Sequence, residues 1–174
     1  MLTLYLLRHA KSSWNSPAQS DFDRPLNKRG QQDAVDLGRH LQNANIHPDL
    51  ILLSPARRTC ETYQLLAAQL SSQGEVLMLK SLYGGSPAGI IAEIKNHGRA
   101  VAHLMVIAHN PGIEALASHL TGDDPRNALA LIRSKYPTSG MTTLTFDIAT
   151  WSQIAGQSGT LVDFTSPRLL RRSD

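Results

Sequence analysis

The chain has one cysteine, Cys60, in 174 residues. One thiol makes no intrachain disulfide and no cysteine zinc site, which excludes a disulfide-framed scaffold and makes the cytoplasm the expected compartment. Cys60 is not a nucleophile of the Cys-x5-Arg kind either, because Leu66 occupies the arginine position. Its expected role is helix packing. No lysine- or arginine-rich run accompanies the net charge of +3, so nucleic acid is not an expected partner. The apolar start MLTLYLL is broken by Arg8, too early for a signal-peptide core or a membrane span. HxxxH, HExxH and GxxxxGK[ST] patterns are missing, so no metal, nucleotide or other cofactor is expected.

What is present reads as an ordinary globular chain, 41% hydrophobic and 18% charged. With no internal repeat or low-complexity linker, residues 1–174 are expected to form a single domain around one sizeable core. Apolar runs alternate with helical patterns, which predicts an α/β fold: a mostly parallel sheet with helices on both faces. Strands are predicted at Thr3–Arg8, Leu50–Leu53, Val76–Leu79, Leu104–Ala108, Met141–Phe146 and Thr160–Phe164. Helices are predicted over Lys28–Asn43, from Pro55, from Pro87 behind a Ser86 cap, and from near Pro111. Between Asp123 and Ser139 the pattern is ambiguous, with Ala128–Ile132 as its helical stretch. Gly84-Gly85 reads as a flexible turn at a pocket edge. Arg168, Arg171 and Arg172 read as a solvated tail.

Chemistry gathers at the predicted strand ends. Arg8 and His9 close the first strand. Ser54-Pro55 closes the second, with Arg58 on the next turn. His109 closes the strand through Val106 and Ile107. Ligands bind outside the carboxyl ends of strands in open parallel sheets, so two histidines and two arginines are expected in one pocket. Guanidinium groups match phosphoryl oxygens through planar, paired donors. A neutral imidazole can attack phosphorus and split one displacement into two. A second imidazole can donate to the equatorial oxygens as charge shifts.

The segment LLRHAKSSWN resembles the Arg-His signature of the histidine phosphatase superfamily, which includes the phosphoglycerate mutases. SPARRTCET resembles its second motif, with Ser54, Arg58 and Thr62 in place, and the spacing favours Arg58 over Arg57. AHNPGIEAL resembles the third, with His109. The match runs from about Leu4 to Leu120 and continues weakly beyond. The start RHAKSSW joined to DFDRPLNKRG, the short length and the ending LVDFTSPRLL are similar to the SixA-type phosphohistidine phosphatase branch.

That resemblance implies a phosphoglycerate mutase-like three-layer sandwich and a metal-independent phosphatase. His9 would be the nucleophile, Arg8 and Arg58 a clamp, and His109 a donor to the transition state. Asn15 would neighbour the phosphate, and Arg24 would contact substrate at the rim. Ala10 stands where much of the superfamily has glycine. The acid that many members carry after the third strand is missing from KSLYGGSPAGIIAEI. Glu93 lies too far into its helix to replace it, leaving Asp21 or Asp23 as possible donors. An alkoxide leaving group needs a proton, worth about 10²–10⁴-fold, whereas a leaving imidazole needs less help. The missing acid therefore favours phosphohistidine on a protein, such as a signalling phosphotransfer domain. A small-molecule phosphomonoesterase of the same superfamily and a non-catalytic phosphoprotein-binding module are the two alternatives.

Overall fold

Strand β1 (Leu2–Arg8) alternates its side chains between two separate cores. Leu4 and Leu6 enter one, Tyr5 and Leu7 the other. Side chains of a strand point to opposite faces in turn, so a run apolar at every position belongs to a sheet covered on both sides. Strands β2 (Leu50–Leu53) and β4 (His103–Ala108) divide in the same way. The computed structural model describes residues 1–14 and 20–173.

Helices α1 (Lys28–Asn43) and α2 (Arg57–Ala67) cover one face through Leu37, Leu41 and Leu66. Helices α3 (Pro87–His97), α4 (Gly112–Leu120) and α5 (Leu129–Ser134) cover the other, through Ile90, Ile94, Leu116 and Ile132. The remaining strands are β3 (Glu75–Met78), β5 (Thr121–Asp123), β6 (Met141–Phe146) and β7 (Gly159–Thr165). The seven strands lie in the order β3-β2-β4-β1-β6-β7-β5. Only β6 runs against its neighbours β1 and β7; every other pair is parallel. This is a single-domain α/β sandwich of the predicted class. Among the described residues, no helix is long and apolar enough to cross a membrane.

Several predicted boundaries move, each for a tertiary reason. Helix α2 starts at Arg57, not Pro55, because Ser54 N–H is still bound to the Ile107 carbonyl and continues the sheet. Arg57 N–H is meanwhile taken by the Phe22 carbonyl. Strand β3 begins and ends one residue earlier than predicted, since Glu75–Met78 is the stretch in register with Leu50–Leu53. Strand β5 is too short and polar to leave a sequence signal. The basic tail is not simply solvated: Pro167–Ser173 forms helix α6. Arg171 reaches Asp33 at 2.8 Å, and that carboxylate is only 2% exposed. A buried carboxylate needs a partner, and α6 supplies it.

Two close approaches position the site. A Cβ on Gly30 would collide with the Lys11 carbonyl, and one on Gly112 with the Gly85 carbonyl. The first lets α1 lie against the chain leaving β1. The second brings the start of α4 against the turn before α3. In that turn Gly84 has φ +72°, the left-handed region glycine occupies at no steric cost.

Candidate active site

Strand β1 is central, between β4 and β6, and its carboxyl end meets the ends of β2 and β4. His9 N–H binds the Ala108 carbonyl at 3.1 Å, which sets the two histidine-bearing turns side by side. The rings of His9 and His109 have centroids 5.2 Å apart. Arg58 Nε lies 3.3 Å from His9 Nε2. Arg8 projects from the same strand end, where its Nη1 donates to the Tyr136 carbonyl at 2.6 Å. The structure thus brings Arg8, His9, Arg58 and His109 together.

The protonation of His9 follows from its contacts. Nδ1 is 2.7 Å from the Ala10 carbonyl, which can only accept. The ring proton therefore sits on Nδ1, leaving a lone pair on Nε2 to face Arg58. The support is itself held: Ala10 N–H donates to Thr62 Oγ1 at 3.0 Å, and that hydroxyl donates to the Arg58 carbonyl at 2.6 Å. Thr62 on α2 thus ties the turn carrying His9 to the turn carrying Arg58. Ala10 is wholly buried; its N–H bond to Thr62 is one that glycine would also make, and its methyl group packs with Leu26 and Ala34.

His109 Nε2 is 2.7 Å from Ser54 Oγ, which has no other partner among the described residues. Either atom can donate in this bond; when the hydroxyl proton goes to Nε2, the ring proton sits on Nδ1. Among the described residues, His109 Nδ1 and Arg8 Nε are buried with no hydrogen-bond partner. A buried donor left unpaired costs about 1–3 kcal/mol. Arg8 Nε–H, and His109 Nδ1 when it carries the ring proton, suit an acceptor with several oxygens. A cavity of about 310 Å³ opens beside His109, between Gly84–Pro87 and Asn110–Gly112. Gly84-Gly85 is therefore at the pocket edge, as expected.

Asp21 crosses over Arg58. Arg58 Nη1 donates to the Asp21 carbonyl at 2.6 Å and Nη2 to its carboxylate at 3.1 Å. Arg24 and the Tyr83 hydroxyl donate to the same carboxylate, at 2.9 and 2.8 Å. Hydrogen bonds from Arg24 and Tyr83, with the Arg58 charge, lower the Asp21 pKa to about 2. At neutral pH this carboxylate holds no proton to donate. Asp23 instead accepts from Ser20 Oγ at 2.7 Å. Arg24 is a brace in this arrangement: its Nε and Nη2 donate to the Ser13 carbonyl and Ser12 Oγ. Its guanidinium also lies over the ring of Trp14, which is 76% exposed. Asn15, the other expected phosphate neighbour, lies outside the described residues.

Tyr83 is the residue that sequence reasoning missed. Its ring packs edge-on against His109, at 5.4 Å between centroids, and against Phe22 at 5.2 Å. It sits in the segment searched for an acid, but a lone tyrosine in a turn carries no signal of its own. Arg57 faces outward and pairs with Glu61 at 2.6 Å. Among the described residues, no group of three or more His, Cys, Asp or Glu side chains could hold a metal ion.

Burial, with the neighbouring His109, Arg58 and Arg8, lowers the His9 pKa to about 3, although the bond to Ala10 opposes it. Burial and the two arginines lower His109 to about 4, against the opposing pull of Asp21. Unfolded histidines titrate near 6.5. Below that pH the unfolded chain binds protons that the folded chain refuses, so stability must fall as pH falls. The loss grows until the folded histidines titrate, near 4 for His109 and 3 for His9. Urea unfolding is expected to show a slope of up to about 1.4 kcal/mol per pH unit per histidine between pH ~4.5 and ~6. His109→Gln should remove its share. An unchanged slope in that variant would contradict the assignment. The Asp21 shift acts in the same direction but only at lower pH, and its exposure leaves it little weight.

A mostly parallel sheet, sandwiched between helices and carrying two histidines and two arginines at its carboxyl edge, defines the phosphoglycerate mutase-like class. Residues 4–82 match the family model of the histidine phosphatase superfamily, branch 1. An uncharacterised protein of Mycobacterium tuberculosis is 33% identical over 165 residues, covering 93% of this chain and all of the relative. A chloroplastic protein of Arabidopsis thaliana, also uncharacterised, is 37% identical over 128 residues; the match spans 68% of this chain and 59% of that protein. The candidate phosphohistidine phosphatase SixA of Agrobacterium tumefaciens superposes with a TM-score of 0.80 at 29% identity, over 95% of this chain and 98% of that one. The chain belongs to the histidine phosphatase superfamily.

Proposed function

We propose that this chain hydrolyses phosphohistidine on a protein, through a phosphohistidine intermediate on His9. The observation that carries the reading is the geometry of His9: Nδ1–H is fixed on the Ala10 carbonyl, and the Nε2 lone pair is directed toward Arg58. Nε2 attacks phosphorus and the P–N bond to the substrate imidazole breaks. Water then attacks the His9 phosphoramidate, releasing phosphate and restoring the ring. Arg8, Arg58 and the Nδ1–H of His109 meet the charge on the phosphoryl oxygens in both steps. The lowered pKa of His9 keeps the nucleophile neutral well below the ordinary histidine range, so activity is expected to persist there.

The leaving group separates the substrates. The ionised Asp21 carboxylate cannot protonate an alkoxide at neutral pH; Glu114, the other carboxylate whose charge reaches the four-residue set, acts on Arg8 and accepts from Asn110 Nδ2 at 3.1 Å. A departing imidazole nitrogen needs that proton less. A phosphotransfer domain of a signalling pathway fits this requirement. The small cavity beside His109 favours a second reading, a phosphomonoesterase for small molecules. Turnover of a phosphohistidine protein against a panel of phosphate esters distinguishes them. A higher kcat/KM on the protein is expected; a clear preference for an ester would overturn the protein reading.

A further inference from the structure

A second cleft, of about 540 Å³, lies between the start of α1, the loop from α5 to β6, and α6. Its walls carry Arg29, Lys135, Arg168 and Arg172, and no carboxylate stands among the described lining residues. All four cations are exposed. Arg29 approaches Asp33 only at 3.7 Å, where Arg171 already makes the closer contact. Lys135, Arg168 and Arg172 have no ion pair among the described residues. Apolar surface accompanies the charge: Phe164 contributes, and Leu131 is 48% exposed.

One loop connects this cleft to the catalytic residues. Pro137 and Thr138 line the cleft. On either side of them, the Tyr136 carbonyl holds Arg8 and Ser139 N–H donates to the His9 carbonyl at 3.1 Å. A concave surface of four cations on an apolar floor, one loop away from the nucleophile, is complementary to an acidic protein surface carrying an apolar side chain. It is a poor match to nucleic acid, for which the +3 net charge is weak and the basic residues form no run.

We propose that the phosphorylated protein docks here, laying an acidic, partly apolar face in the cleft while its phosphohistidine reaches His9. This rests on the preceding reading that the substrate is a protein. Complementary charge raises encounter rates about 10–10³-fold, and the gain is lost as salt shortens the screening length.

The test compares the intact chain with a Lys135→Glu, Arg168→Glu, Arg172→Glu variant on two substrates. One is a phosphotransfer domain phosphorylated with phosphoramidate; the other is free phosphohistidine. The reversals move the net charge from +3 to −3, so the control is Arg39→Glu, Lys95→Glu, Arg99→Glu, which makes the same change outside the cleft. The cleft variant is expected to lose about tenfold or more in kcat/KM on the domain at low salt. The loss should fall on KM and shrink toward ~0.5 M salt as screening takes over. Free phosphohistidine turnover should be unchanged, and the control should lose far less on the domain. If thermal melting shows the triple variant to be unfolded, Arg168→Glu and Arg172→Glu are read singly, each with a smaller loss of the same kind.

An unchanged rate on the domain, with the intact chain active, overturns the docking site and leaves the protein-substrate reading standing. An intact chain that turns over esters but not the domain overturns that reading and the docking site with it. Binding of phosphatidylserine vesicles or an oligonucleotide that depends on these cations, without any effect on the domain, also overturns the proposal.

Discussion

His9→Ala is expected to reduce hydrolysis by about 10⁴–10⁶-fold, the scale of loss when a covalent nucleophile is removed. The remaining groups cannot substitute. His109 Nε2 is occupied by Ser54. In the intact chain, rapid acid-free quenching with a labelled phosphodonor should trap an acid-labile phosphate. His9→Ala should yield none. Phosphate binding should survive in this variant, because Arg8, Arg58 and His109 remain, so it should act as a substrate trap. Turnover within tenfold of the intact chain would mean that water attacks directly, and that His9 has another role. Turnover by the intact chain that is lost in His9→Ala would exclude the third reading, a module that only binds phosphoproteins.

Arg58→Ala is expected to cost about 10³–10⁵-fold, the range for an arginine that stabilises a transferring phosphoryl group. The expectation rests on what one guanidinium does here: Nε faces His9 Nε2, while Nη1 and Nη2 hold Asp21. Arg58→Lys should recover little, because an ammonium is a point charge without the planar fork. A loss below about tenfold in Arg58→Ala would show that Arg8 alone neutralises the phosphoryl group. Asp21→Asn distinguishes two roles of the pair. If the carboxylate only competes with phosphate for Arg58, inorganic phosphate should bind this variant more tightly. A fall confined to ester substrates would instead assign Asp21 the proton that its lowered pKa argues it lacks.

Much of the site was legible because the local code and the topology agree. Each of β1, β2 and β4 is apolar through its middle, the pattern of strands buried on both faces. Such strands belong to a sheet covered by helices, and β4 lies parallel between β1 and β2, so the three carboxyl ends fall together. Arg8, His9, Arg58 and His109 all sit within a few residues of those ends. Helix α1 was legible from end to end. Its apolar stripe is regular, and Asn27 caps it by accepting from Gly30 N–H. Tyr83 and the brace made by Arg24 were not legible. Both depend on where a turn and an irregular segment cross in space, and no periodicity records that.

Sequence by itself determined the alternation of strands and helices, the four polar residues at strand ends and the absence of a ready acid after the third strand. These are local facts, set by side-chain period and by which residues stand next to a boundary. The tertiary structure decided which ring nitrogen of His9 is free, which nitrogen of His109 is committed to Ser54, and that Asp21 is held ionised over Arg58. It also turned the basic tail into helix α6, with Arg171 bound to Asp33 and the neighbouring cations facing a cleft. Protonation and charge pairing depend on burial and on partners up to 138 residues away, and only the packed chain brings those partners within reach.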